Sequence, residues 1–445
     1  MFLRKHLPTF LIWYAATTLM ILALTFFAMM IMAEESATGA WNYLPDVVTT
    51  LFSNPLSIIA LSVPYWISRI IRAIVRSYRS QHWRGALRMT TWVLILPLAG
   101  LWGGYKGLSQ YYNQVDDFGY QWDSSIENNS GKATTQFEAD GKQRGIHVFF
   151  RYRNATEELD LLVENNVEWI TLVPFSYQGD PNTPDFNYRR SEGRISRRDS
   201  SFIATAIQAN SRGLQVMMKP HIWMNGNTWR NSIEMQTEED WDTWFTKYSE
   251  FILQYAHIAE NNHMRMLCVG TELHTCAKSQ EARWRKLIAE IREVYSGKLT
   301  YAANWYEEFE DVPFWDALDY IGIQGYFPLE HGEDAMVEDL VESWQPYVKR
   351  LEKFSKKWSR PILFTEVGYK STPNAARKPW EWEEFGFSQI SFETQANCYE
   401  ALYRALWDKP WFAGVHWWKW EGENKADFTP KNKPAMNIMA KWFAK

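Results

Sequence analysis

The chain changes its hydrophobic rhythm once. Up to about residue 106 the apolar residues run in long uncharged blocks; from residue 144 onward, short apolar runs alternate with stretches of helical spacing. The first block, 7–33, reads LPTFLIWYAATTLMILALTFFAMMIMA and carries no charge. That exceeds the roughly 20 apolar residues a bilayer-spanning helix needs. It is also too long, and lacks a convincing small-residue cleavage site, to be a signal peptide alone. A second block, 47–68, is interrupted by Asn54, Pro55 and Pro64, and a third, 89–105, holds Pro97 and Gly103–Gly104. Together they predict about three transmembrane helices (about 8–33, 47–68 and 89–105), an all-α membrane region over 1–106.

Charges between the blocks give an orientation. Arg4 and Lys5 precede the first block, and Glu34, Glu35 and Asp46 lie between the first and second. Arg69, Arg72, Arg76, Arg79, Arg84 and Arg88 lie between the second and third without an acid among them. The positive-inside rule places both basic segments in the cytoplasm, so everything after Lys106 is expected outside it. The alternative lays the Arg-rich stretch and the weaker blocks on the membrane as amphipathic helices. With one crossing the rest would still be outside; with two it would be cytoplasmic. Residues 107–143, with ENNSGKATTQFEADGK, are polar, lack a sustained apolar period and read as a linker.

Over 144–445 the pattern predicts eight strands, at 145–150, 169–175, 215–223, 265–273, 299–305, 320–326, 361–369 and 412–420. Helical spacing fills most gaps, as at 156–166, 202–213, 238–262, 280–295, 337–358 and 394–407. Eight such units in this length predict a (β/α)8 TIM barrel. A doubly wound sheet would usually carry a Gly-rich phosphate loop after its first strand; here that position reads FRYRNAT, without glycine.

Composition narrows the chemistry. The formal net charge of −5 points to no nucleic-acid partner. The 25 Trp, 22 Tyr and 25 Phe are mostly core or membrane-interface residues, yet so many aromatics also favour sugar, whose C–H faces stack on rings. Cys268, Cys276 and Cys398 form no disulfide framework, and Cys268–Cys276 is the only pairing to consider. The nine histidines form no HExxH and no cluster, so no catalytic metal and no cofactor are expected.

Two glutamates then stand out. Glu366 ends the apolar run PILFT, and Glu272 ends RMLCVGT. Alone, each is an ordinary helix cap or salt-bridge partner. On strands four and seven of one barrel, at the ends where barrel chemistry sits, they provide the paired carboxylates of glycoside hydrolysis. With GTEL after strand four, QGYFP after strand six, TEVGY after strand seven and GVHWWKW in strand eight, the region from about 144 to the C-terminus resembles the clan A glycoside hydrolases. It resembles in particular family 113, whose characterised members are β-mannanases.

The resemblance implies a retaining mechanism with Glu272 as acid/base and Glu366 as nucleophile, their carboxyl groups about 5–5.5 Å apart. In that role Glu272 must be protonated near neutral pH, its pKa raised by the partner's charge and by partial burial. Tyr326 resembles the clan's tyrosine that hydrogen-bonds the nucleophile, and Trp418 the tryptophan under the reacting sugar. One departure is Thr271, where most of the clan has an asparagine that contacts the sugar 2-hydroxyl. Asn304 is a candidate hydroxyl ligand. His221 and Lys219 are either substrate contacts or a buried structural pair. Trp223, Trp305, Trp380 and Trp382 are candidates to stack on outer sugars, whereas Trp417 and Trp420 are candidate core.

The expectation is therefore a membrane-tethered glycoside hydrolase, facing out of the cytoplasm, with an oligo- or polysaccharide substrate and the lipid bilayer as partners. Two rivals keep the same residues. One is a transglycosylase using both glutamates; the other is a membrane-bound glycan-binding or assembly protein that does not cleave.

Overall fold

The computed structural model describes residues 55–112, 114, 118–120, 135–149, 155–187, 197–224, 228–329, 336–381, 389–422 and 424–445. The chain divides into two compact units, Met1–Ser109 and Gln110–Lys445.

In the first unit a helix runs from Pro55 to Thr90, broken at His82 (φ 54°, ψ −148°), and continues through a π-helical turn, Thr91–Ile95, into a helix from Leu96 to Tyr112. Pro97 has no N–H to offer the carbonyl four residues earlier, and the ladder widens into the π turn just before it. This corrects the expectation of three separate membrane helices. The Arg-rich stretch between the second and third blocks is helical rather than a loop. Among the described residues one segment, Tyr65–Tyr112, is long and apolar enough to cross a membrane. Its large apolar side chains, among them Trp66, Trp92, Leu98, Leu101 and Trp102, are exposed. The first block, 8–33, lies outside the described residues.

The second unit is a closed barrel of eight parallel strands. In chain order they are β1 (Gln143–His147), β2 (Trp169–Leu172), β5 (Gln215–Met218), β7 (Met266–Thr271), β8 (Lys298–Asn304), β9 (Tyr320–Gln324), β10 (Ile362–Val367) and β11 (Phe412–Trp417). The (β/α)8 reading is thus realised. Strands buried on both faces need continuous apolar runs, and QVMM, MLCVGT and ILFTEV supply them. Outer helices bury an apolar stripe, as in Val337–Trp358, where Leu340, Trp344, Val348 and Leu351 follow at spacings of four, four and three; Phe392–Leu406 is instead buried on nearly every side. Thr237 caps Glu238–Asn261 by accepting from the Asp240 N–H, and Ser391 caps Phe392–Leu406 the same way at Thr394. Gly414, at φ 108°, lies where a Cβ would strike the backbone of Gln143, so β11 closes onto β1 only with glycine there.

Two strands are shorter than expected. The runs 169–175 and 215–223 each divide in two, because Pro174 and Pro220 cannot donate to the ladder. Beyond them, β3 (Phe175–Gln178) and β6 (His221–Met224) pair with each other, and β4 (Phe186–Asn187) completes a three-stranded side sheet. This sheet stands at the C-terminal rim of the barrel and carries His221, placed by sequence at the end of a barrel strand. Cys268, Cys276 and Cys398 are all free and buried.

Candidate active site

A cavity of about 890 Å³ opens at the strand C-termini and is lined by residues from β6, β8, β9 and β10 and the segments that follow them. Glu272 and Glu366 both face it, together with His221, Trp223, Asn304, Tyr326 and Trp418. Glu366 sits within β10, and Glu272 is the first residue past β7. These are the seventh and fourth barrel strands. Glu272 has φ 51°, a left-handed backbone that turns its side chain over the rim.

Glu366 is held by two donors. Lys219 Nζ donates to Oε2 at 2.7 Å, and the Tyr326 hydroxyl donates to Oε1 at 2.6 Å. Burial, then the Glu366 charge and hydrogen bond, push the Tyr326 phenol well above its ordinary pKa, so it remains a donor. Burial first, and then the Lys219 ammonium, hold His147 and His221 well below the usual imidazole range. Both rings are therefore neutral at neutral pH, and Lys219 supplies the positive charge beside Glu366.

Glu272 has a different shell. Asn304 Nδ2 donates to Oε1 at 2.8 Å; Trp229 Nε1 and Arg230 NH2 donate to Oε2 at 3.1 and 2.9 Å. Burial pushes this carboxyl up, but the Arg230 charge and the hydrogen bonds from Asn304, Gln324 and Trp229 outweigh it and hold the pKa below the usual value. The expectation of a raised pKa is corrected here, and the reason is a guanidinium that sequence did not place. Gln324 links the two centres: it donates to Glu272 and accepts from Lys219 Nζ at 2.7 Å, and the same ammonium reaches Glu366.

Two expected ligands lie beneath the cavity rather than on its wall. Lys219 is fully buried under Glu366. Thr271 is buried, and its hydroxyl donates to the Pro220 carbonyl at 3.4 Å, so it is turned to the neighbouring strand. Asn304 meets Glu272 directly. Trp418 packs edge-on to Phe149 at 5.2 Å between ring centres. Trp305 and Trp380 form a tilted pair at 5.3 Å, and Trp223 stands exposed beside Phe175. Trp417 and Trp420 are core, fully buried. Trp382 lies outside the described residues.

Sequence reasoning missed Trp229 and Arg230, which sit in a short turn with no periodic signal, and Gln324, whose place at a strand end was a usable sign. It also missed Glu308. This buried carboxyl group accepts from the Asn304 N–H at 2.7 Å and from the Tyr301 hydroxyl at 2.5 Å, while Tyr301 accepts from the Leu273 N–H at 2.8 Å. Glu308 thereby ties together the backbones that carry Asn304 and Glu272.

The geometry agrees with the relatives. A family 113 β-1,4-mannanase structure superposes with a TM-score of 0.59 at 27% identity, covering 68% of this chain and 98% of that one. The family 113 β-mannanase from Alicyclobacillus acidocaldarius does so with a TM-score of 0.59 at 29% identity, covering 68% and 97%. None of the curated proteins compared matches the chain. The profile of Glycoside Hydrolase Family 113 matches residues 142–441, the barrel with both rim carboxylates, and the chain therefore belongs to that family of glycoside hydrolases.

Proposed function

We propose that this chain is a retaining hydrolase of β-linked hexose glycans, β-mannan first, with Glu366 as nucleophile and Glu272 as acid/base. The observation that carries this reading is the pair of rim carboxylates, from the fourth and seventh strands, on one aromatic-walled cavity. Glu366 attacks the anomeric carbon as the glycosidic bond breaks and Glu272 gives its proton to the departing oxygen. Water then attacks the same carbon, Glu272 takes the water's proton, and Glu366 is released as a carboxylate. Lys219 and Tyr326 hold the nucleophile in register. Trp418 faces the reacting sugar, and Trp223, Trp305 and Trp380 offer stacking surfaces for further units.

We further infer that the N-terminal unit anchors the enzyme in a membrane, with the barrel outside the cytoplasm. Supporting this are the uncharged blocks, the exposed apolar helix Tyr65–Tyr112 and the arginines between blocks. Reporter fusions after Ala33, Arg79 and Lys106 test it; a cytoplasmic signal after Lys106 would overturn the orientation.

The activity test is incubation of the full chain with a panel of β-glycans, with product sizing and proton NMR of the newly released anomeric centre. Retention of configuration on a β-mannan is expected. Glu366→Ala should abolish cleavage. Glu272→Ala should cripple it on the polymer but spare the first step on activated aryl glycosides, whose leaving groups need little protonation. An inverted product, or full polymer activity in either variant, refutes the assignment.

A further inference from the structure

Arg230 opens the short helical turn Arg230–Ser232 beyond the side-sheet strand β6, outside the barrel ladder. Its guanidinium lies on the cavity wall, with NH2 at 2.9 Å from Glu272 Oε2. Its other anchors are slight. NH1 reaches the Ile222 carbonyl at 3.3 Å, and the buried Nε has no acceptor among the described residues. Glu272, for its part, is crowded with donors. Asn304 occupies Oε1, and Trp229 and Arg230 both occupy Oε2. A carboxylate oxygen offers two in-plane lone pairs, so a proton can settle on Oε2 only when one of its two donors withdraws.

From this arrangement we propose that Arg230 is a positioning residue for the acid/base step: it aims Oε2 of Glu272 and governs the pH at which that oxygen can carry the proton given to the leaving group. The inference rests on the assignment of Glu272 as acid/base. While the Arg230 contact is closed, the side chain is an oriented base, suited to taking the proton from water. Opening it lets Glu272 take a proton from solvent and pass it to the glycosidic oxygen as that bond breaks. Other charged or titratable groups face the same carboxylate. Glu366 on β10, and Glu308 behind Asn304 when ionised, favour protonation; Lys219, reached through Gln324, opposes it as Arg230 does. The Tyr326 phenol and the His221 imidazole remain neutral. Of these groups Arg230 alone is a cation in direct contact with Glu272.

The test is kcat/KM against pH for the full chain, comparing wild type, Arg230→Met and Arg230→Lys. The substrates are a β-1,4-mannooligosaccharide and an aryl β-mannoside with a good leaving group. For the oligosaccharide, Arg230→Met should move the basic limb upward by about 1–3 pH units, the usual reach of an adjacent cation, and Arg230→Lys should restore most of it. The aryl substrate should show no such displacement. A uniform fall in rate with the limb unmoved would make Arg230 merely structural and overturn the proposal. A second measurement needs no turnover. At pH 7, Arg230→Met should lower Tm more in wild type than in Glu272→Gln, and the excess should vanish as pH falls below Glu272's own pKa. Equal shifts in both backgrounds would also overturn it. A chain that cleaves no β-mannan refutes the proposed function, while the melting cycle still reads the Arg230–Glu272 coupling separately.

Discussion

Glu308 offers a test of how the barrel rim is held. It is wholly buried behind Asn304, and burial is the main reason its pKa is pushed up from 4.5 to about 8; the charge of Glu272 adds to this, against hydrogen bonds from Tyr301 and Asn304. In the unfolded chain the same carboxyl ionises near its ordinary value. The folded state therefore binds this proton more tightly. The stabilisation is complete below about pH 4.5 and is lost as pH rises through about 8. At 1.36 kcal/mol per pKa unit, the span amounts to about 5 kcal/mol. Glu308→Gln removes the titration: its carbonyl can still accept from the Asn304 N–H, while its amide reverses the Tyr301 contact by donating to the oxygen that donates to Glu308 in wild type. The expected result is near-equal melting at pH 5. By pH 9 the variant should be more stable than wild type, by on the order of 10 °C in Tm. Tryptophan fluorescence melts of both proteins across pH 5–9 would measure it. Because other buried groups titrate too, Glu421 and Lys433 among them, the difference between the two proteins is the informative quantity. A difference that stays constant across this range refutes the argument that Glu308 is folded as a neutral acid.

Two other substitutions probe the setting of Glu366, the proposed nucleophile. Tyr326→Phe removes a 2.6 Å charge-assisted hydrogen bond to Glu366 and should lower kcat on a mannooligosaccharide by about 10–100-fold, the equivalent of about 1.5–3 kcal/mol; an unchanged kcat would separate the tyrosine from the reaction. Lys219→Met strands the Glu366 carboxylate in a buried site and should cost about 3–5 kcal/mol in thermal or denaturant unfolding, with part recovered on adding Glu366→Gln. Strictly additive effects would show that the two side chains do not depend on one another.

The barrel was legible because apolar runs of strand length recur between helical stripes, and because the two glutamates stand where such runs end. The split of the second and third runs was less visible. Pro174 and Pro220 were in plain sight, but their effect depends on lying level with each other, which allows the His221 N–H to reach the Pro174 carbonyl at 2.8 Å. The sign of the Glu272 pKa was out of reach, since its main opponent, Arg230, lies 42 residues away in a turn without pattern. Thr271 illustrates a different limit. A position inherited from a motif says where the backbone goes, but the hydroxyl follows the nearest acceptor, here the Pro220 carbonyl. In the N-terminal unit, hydropathy marked the apolar blocks but could not show that the arginines between them continue the helix.

Each rim carboxylate has its own resident cation, Lys219 beneath Glu366 and Arg230 beside Glu272. On the proposed route, Glu272 gives up its proton as ester formation neutralises Glu366, so one negative charge leaves the neighbourhood of Lys219 while another appears beside Arg230. The total charge of the site does not change. What changes is which cation is compensated: Lys219 faces a neutral ester, while Arg230 faces the carboxylate that must next act as base. Hydrolysis reverses the exchange and returns the charge to Glu366, so in neither half of the cycle does an ionised rim carboxylate lack a fixed counter-charge.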